Sequence, residues 1–162
     1  MNRKIKLSIL YSLIVSFFLS ASDYVEVLNK GILLLKQRQY EESLKTLEEA
    51  QKISPENSNT YYYLGEVFYN IGKTDKAIDN YKRAIEIQSS IPEYYLSLAM
   101  VYLSVNSVED SLENLNKVLE ISPNTLTGKK ANKLKKEISS SIAGRELVKK
   151  WVKLEEEERL RL

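Results

Sequence analysis

The 162-residue chain has no cysteine and no histidine, only five glycines and three prolines, and a single tryptophan. Each shortage removes a class of answers. Without thiolate or imidazole there is no disulfide framework, zinc cage, Ser-His-Asp triad or cysteine nucleophile, which leaves carboxylate, lysine or tyrosine chemistry, or none. So little glycine and proline supplies too few turns for a sandwich or barrel of short strands. The Lys, Glu, Leu, Ile and Ser that fill the chain favour helices instead. The formal charge of +2 is a sum of unlike segments: +3 over residues 1–22, −6 over 23–125 and +5 over 126–162.

Asn2, Arg3, Lys4 and Lys6 make a polar, positive start, followed by an uncharged, mostly apolar run from Leu7 to Leu19 and then Ser20, Ala21 and Ser22. This is the layout of a secretory signal peptide over residues 1–22, with cleavage expected between Ser22 and Asp23. A spanning helix needs about 20 apolar residues, more than the run supplies. An uncleaved inner-membrane anchor is the alternative reading, and a buried first helix the third. Both export readings expect the remainder outside the cytoplasm, in the periplasm of a bacterial envelope.

Shifting the chain by 34 residues superimposes Val27, Tyr61 and Tyr95; Gly31, Gly65 and Ala99; Leu34, Phe68 and Tyr102; Ser43, Ala77 and Ser111; Leu47, Tyr81 and Leu115; and Ala50, Ala84 and Val118. Ile53-Ser54-Pro55 recurs as Ile121-Ser122-Pro123, two periods away. Small residues at Gly31, Gly65 and Ala99, and at Ser43, Ala77 and Ser111, fit places where two helices approach closely. The large residues beside them fill the adjacent space. One copy buries too little alone, whereas stacked copies build a continuous core.

The middle copy is the clearest, with Tyr61, Leu64-Gly65 and Phe68 followed by Ala77, Tyr81 and Ala84. This pattern resembles the tetratricopeptide repeat. The resemblance implies an all-α fold, a right-handed α-solenoid of three helix-turn-helix repeats at 24–57, 58–91 and 92–125. The helix pairs read as 24–37 with 40–53, 58–71 with 74–87, and 92–105 with 108–121, with Thr74 and Ser107 as caps. The first copy departs most from the pattern, with Val27 and Lys30 in place of an aromatic and Leu.

From Leu126 the register is lost. Ala131, Leu134, Ile138 and Ile142 then recur at helical spacing among lysines, as expected of a capping helix over 126–144. Gly144 permits a break, after which residues 145–162 read as a further amphipathic helix with Leu147, Val148, Trp151 and Leu154 on its apolar face. That helix has three destinations: folded back on the array, packed on another subunit or protein, or laid on a membrane surface, which Glu155 to Glu158 disfavour.

In the tetratricopeptide family the first helices of the pairs line a face that grips a peptide or helix. Helical spacing then selects Val25, Leu28, Ile32 and Leu35 from the first copy, Asn59, Tyr62, Glu66 and Tyr69 from the second, and Glu93, Leu96, Met100 and Leu103 from the third, with Tyr63 beside them. The Lys, Asn and Arg clamp by which chaperone-binding members hold a terminal carboxylate is missing, since its positions carry Leu28, Ile32, Tyr63, Glu93 and Ser97. An apolar face predicts an apolar or amphipathic segment of a protein partner. Val27, Leu34 and also Leu33 read instead as core.

The function expected is therefore a non-catalytic adaptor or assembly factor of the envelope. An architectural homo-oligomer built through the first repeat and the terminal helix is one alternative, and a membrane-anchored scaffold another. The acidic pairs follow helical surface spacing rather than a pocket pattern. No phosphate loop or metal-binding loop is present, so no cofactor or metal is expected. Nucleic acid is not an expected partner, and membrane contact is expected only if residues 1–22 stay attached.

Overall fold

The computed structural model describes residues 23–159, with side chains described for 23–142. The expected signal peptide, residues 1–22, lies outside the described residues. Among the described residues seven helices follow one another: α1 over residues 23–36, α2 Tyr40–Ile53, α3 Ser58–Asn70, α4 Thr74–Ile87, α5 Pro92–Ser104, α6 Val108–Ile121 and α7 Leu126–Arg159. The chain divides between Ser90 and Ile91 into two compact units, α1 to α4 and α5 to α7. Among the described residues no helix is long and apolar enough to cross a membrane.

Each helix pair closes through the same turn. The amide of Gln39 donates to the Leu34 carbonyl at 3.0 Å, Lys73 to Phe68 at 2.9 Å and Ser107 to Tyr102 at 2.9 Å, while Arg38, Gly72 and Asn106 donate to carbonyls three residues back. This double closure satisfies the orphan carbonyls at a helix end and requires a left-handed residue just past it. That residue is Arg38 (φ 61°), Gly72 (φ 75°) or Asn106 (φ 60°), at intervals of 34. The next residue serves both as the end of this closure and as the start of the following helix.

This double duty corrects the expected caps. Thr74 is the first residue of α4, and Lys73 stands at the N-cap without a side-chain bond. Ser107 is the N-cap of α6, but its hydroxyl donates to Asp110 Oδ2 at 2.6 Å rather than accepting from a backbone amide. A side-chain cap does occur where a longer loop precedes the helix: Asn57 accepts from the amide of Asn59 at 3.1 Å ahead of α3.

The small residues of the repeat set the helix spacing. A Cβ on Gly31 would lie 2.7 Å from Leu47 Cδ2, and one on Gly65 2.8 Å from the Tyr81 ring. Ser43 Oγ donates to the Gly31 carbonyl at 2.8 Å, tying α2 to α1. The facing residues Leu47, Tyr81 and Leu115 and the small-side positions Ala50, Ala84 and Val118 are all buried. Each large one removed from water contributes about 1.5–3 kcal/mol. In the first unit Arg83 also anchors the loop between the two pairs, reaching Glu86 at 3.1 Å and Glu56 at 3.3 Å with its guanidinium 5.8 Å from the Tyr61 ring centroid. The Glu86 bond, then Tyr61 and Glu56, hold Arg83 above its ordinary pKa.

In the second unit α7 packs on α5 and α6. Ala131 and Ile138 are buried in one cluster with Ala99, Leu115 and Val118, and Leu134 and Ile142 pack against it, which is the expected apolar face of a capping helix. The expected break at Gly144 does not occur: α7 runs without interruption from Leu126 to Arg159. One glycine costs a helix only about 1 kcal/mol, too little to end it. The side chains of Leu147, Val148, Trp151 and Leu154 lie outside the described residues.

Leu33 was expected in the core, yet it is 55% exposed. Its partners in the 34-residue register are Val67 and Val101, both buried. On α3 the face of Thr60, Leu64 and Val67 is buried, and α3 packs on α2, the helix before it. The same positions of α1 carry Glu26, Lys30 and Leu33, all exposed, and no described helix precedes α1. Lys30 stands on this exposed face at the position where the later copies carry the buried Leu64 and Leu98.

Candidate functional site

The positions that helical spacing selected in the first copy do not share one fate. Val25 is 52% exposed, Leu28 is buried at 8%, and Ile32 and Leu35 are half-buried. Leu28 is thus core rather than ligand surface, because Tyr24, Leu28 and Gly31 form the inward face of α1 at steps of four and three. Tyr24 reinforces that face through a 3.0 Å hydroxyl contact with Thr60 of α3.

Ile32 and Leu35 instead help line a recess of about 430 Å³ within the first unit. The last turns of α1 supply Ile32, Leu35 and Lys36, the turn supplies Arg38, the start of α2 supplies Tyr40, and α3 supplies Tyr62, Tyr63, Glu66 and Asn70. The recess brings together Ile32, Leu35, Tyr62, Tyr63 and Glu66 of the residues that spacing selected, and Asn59 and Tyr69 do not line it. Asn59 is exposed and Tyr69 is 37% exposed.

The α3 wall is braced from behind. Tyr62 and Tyr63 meet edge to face at 5.1 Å, and the Tyr62 ring lies 5.8 Å from that of Tyr81. Buried Tyr81, wedged over Gly65, donates its hydroxyl to Glu66 Oε1 at 2.7 Å, which fixes the carboxylate at the recess. At the mouth, the Tyr40 hydroxyl donates to Asn70 Oδ1 at 3.3 Å, and Asn70 Nδ2 donates to the Glu66 carbonyl at 2.8 Å. Lys36 and Arg38 are exposed on the opposite side, and among the described residues neither has an ion-pair partner.

Lys36, Arg38, Tyr40 and Asn70 were missed by sequence reasoning. The register does carry a signal for them. Arg38 stands where the other copies have Gly72 and Asn106, the two residue types that a left-handed position favours, so a cation there is out of pattern.

The second unit builds a matching hollow of about 240 Å³ from Leu103, Asn106 and Val108, the register partners of Leu35, Arg38 and Tyr40, closed by Leu134, Glu137, Ile138 and Ser141 of α7. Leu103 and Leu96 are half-buried and packed on the second unit's core, so they are partly structural. Met100 is 50% exposed. Glu93 accepts from the Thr127 hydroxyl at 2.6 Å and so helps seat α7. No group of three or more acidic side chains able to hold a metal ion occurs among the described residues.

The fold recurs widely among solved structures. The first tetratricopeptide domain of human RPAP3 superimposes with a TM-score of 0.68 at 20% identity, covering 76% of this chain and 94% of that one. The TPR2B domain of yeast Sti1, solved in a complex with pHsp70, gives 0.69 at 18% identity, covering 73% and 97%. The Yersinia enterocolitica type III secretion translocator chaperone SycD gives 0.63 at 17%, covering 78% and 93%. At these identities the likeness is one of fold. No curated protein sequence matches the chain. Tetratricopeptide repeat sequence profiles match residues 23–90 and again 92–125, more than half of the chain, in the register that the turns and buried triplets follow; the chain belongs to the tetratricopeptide repeat family.

Proposed function

We propose that the chain is a non-catalytic adaptor that holds a peptide or helical segment of a partner protein against the first helices of its repeats. The observation that carries this reading is the recess between α1 and α3, where Ile32, Leu35, Tyr62 and Tyr63 stand among polar and charged groups, a mixed lining that suits an amphipathic ligand segment laid along a helix groove. RPAP3 solved with an HSP90 peptide and Sti1 solved in a pHsp70 complex support peptide capture by this architecture, though the positions that would clamp a terminal carboxylate carry Leu28, Ile32, Tyr63, Glu93 and Ser97 here. A small surface of this kind implies affinity on the order of micromolar. The positive, apolar leader over residues 1–22 supports an envelope setting, with the partner an exported or membrane protein.

The test is affinity purification of the tagged full-length chain from its native cell envelope, followed by mass spectrometry. Beside it runs a variant carrying Leu35→Ser and Tyr63→Ala. A partner captured by the wild type and lost from the variant, at unchanged helicity, supports the reading. Equal capture by both rejects the recess as the binding face.

A second reading, self-association through the first repeat, is favoured by the exposure of Val25 and Leu33 on α1. Light scattering coupled to size exclusion separates the two, because Leu33→Glu dissociates a homo-oligomer and leaves a monomeric adaptor untouched.

A further inference from the structure

The two like hollows differ in their charge. In the first unit the register positions after the aliphatic Leu35 are Arg38 and Tyr40, with Lys36 alongside. In the second they are Asn106 and Val108, and no cation lines the hollow. The two cations of the first sit on its α1 side, while its only carboxylate, Glu66, sits on the α3 side and accepts the Tyr81 hydroxyl. Glu41 and Glu42, in the first turn of α2, are exposed and do not line the recess. Arg38 also holds its cation there in a left-handed conformation, which disfavours arginine and is found at functional positions when it persists.

From this arrangement we infer that the first recess selects a peptide segment in which an internal Asp or Glu follows an aliphatic anchor. The anchor enters between Ile32, Leu35 and Tyr63, and the carboxylate meets Lys36 and Arg38 at the rim. The inference rests on the proposed peptide-binding role and gives its ligand a chemistry. An internal side chain fits better than a chain terminus, because the two cations, Lys36 and Arg38, are exposed at the α1 side, while half-buried Ile32 and Tyr63 stand where the family resemblance puts parts of a terminal-carboxylate clamp. The guanidinium fork matches a carboxylate with two parallel bonds, and the lysine adds a point charge. Residues 23–90 carry a formal charge of −2, so the attraction acts at contact range instead of steering from afar, and roughly 1 M salt, with a screening length of about 3 Å, abolishes it. Glu66 on the far wall gives the ligand a direction, its acidic residue toward α1 and a backbone amide toward α3.

The experiment is fluorescence anisotropy with the full-length chain and three labelled peptides. The first has the core Gly-Leu-Glu-Leu-Gly and an amidated end, the second replaces Glu by Gln, and the third is the Gln peptide with a free terminal carboxylate. The wild type is expected to prefer the Glu peptide by about fivefold, the scale of two exposed ion pairs. Lys36→Gln combined with Arg38→Gly, which also relieves the strained backbone, brings the two amidated peptides within twofold. Glu66→Gln keeps an acceptor for Tyr81 and widens the preference.

Equal binding of the Glu and Gln peptides, both released by Leu35→Ser with Tyr63→Ala, overturns this inference and leaves the proposed function standing. A preference that survives loss of both cations, or tightest binding by the free-carboxylate peptide, also overturns it. Binding of no peptide rejects the inference and the function together.

Discussion

The turn shared by the helix pairs gives a test in which one backbone angle is separated from everything else. A Cβ placed on Gly72 meets nothing within 4 Å, and its φ is +75°, so Gly72→Ala perturbs only the left-handed dihedral. A non-glycine residue there costs about 1–2 kcal/mol, and the lower entropy of the unfolded alanine chain returns about 0.4–1 kcal/mol. The net loss is about 1 kcal/mol, a fall in Tm of about 2–4 °C for a chain of this size. Arg38 occupies the same backbone geometry at φ 61°, so Arg38→Gly runs the cycle backwards. Relief of about 1–2 kcal/mol less the glycine entropy of about 0.5–1 kcal/mol leaves a gain of about 0.5–1 kcal/mol. Asn tolerates the left-handed region, so Asn106→Gly relieves little and, after the glycine entropy of about 0.5–1 kcal/mol, is neutral to slightly destabilising. Far-UV circular dichroism melts of the three variants decide the matter. Gly72→Ala without effect, or Arg38→Gly lowering Tm, refutes the claim that this turn imposes the left-handed residue.

Other substitutions probe the packing that the small residues permit. Gly65→Ala drives a methyl into the Tyr81 ring, which the bond to Glu66 pins in place, and overpacking of this kind costs about 1–3 kcal/mol, read by denaturant titration. Gly128→Ala places a methyl against the carbonyl oxygens of Ser122 and Pro123, rigid backbone that cannot rotate away; the start of α7 lifts, and amide exchange of residues 126–142 accelerates while the first unit keeps its protection. Ser43→Ala loses the bond to the Gly31 carbonyl and costs about 1 kcal/mol. Ser111, its register partner, is buried with its hydroxyl unpartnered, so Ser111→Ala, which installs the residue found at Ala77, is neutral or stabilising by up to about 1 kcal/mol; a larger loss at Ser111 than at Ser43 contradicts the assignment.

Much of this structure was legible because one geometric rule repeats. Ser43, Ala77 and Ser111 align at 34-residue intervals because each faces a close helix approach, and all three are fully buried. The boundaries of the six repeat helices followed to within one residue. What the rule does not encode is which face of a given copy is covered. Leu33 looks like core in a helix with so little polar face, yet it is exposed where its register partners Val67 and Val101 are buried. Gly144 looks like a stop because glycine often is one, but a single weak residue inside a long helical stretch does not supply the start and stop signals that a break requires. Leu28 looked like ligand surface because counting threes and fours fixes a face only to within one residue. Its neighbour Tyr24, bonded to Thr60, turns that face inward.

The recess was legible in part, and the part that was missed consists of residues that the repeat pattern does not mark. Apolar lining residues recur with the repeat because they also serve the fold, so spacing finds Ile32, Leu35, Tyr62 and Tyr63. Lys36 and Arg38 follow no apolar period. They become visible only when the chain is compared with itself position by position. The turn fixes the backbone at residues 38, 72 and 106 in one conformation and aims whatever side chain stands there from the same point of the turn. Changing that side chain alters the charge at a hollow while the helix packing stays as it was, at no cost beyond the dihedral. Position 38 therefore pays in conformational strain for a cation that the packing does not use, whereas Gly72 and Asn106 carry no such strain. A residue kept against the backbone's preference, beside a recess, with no ion-pair partner among the described residues, is what the proposed acidic ligand would require, and the anisotropy comparison of the Glu and Gln peptides is its test.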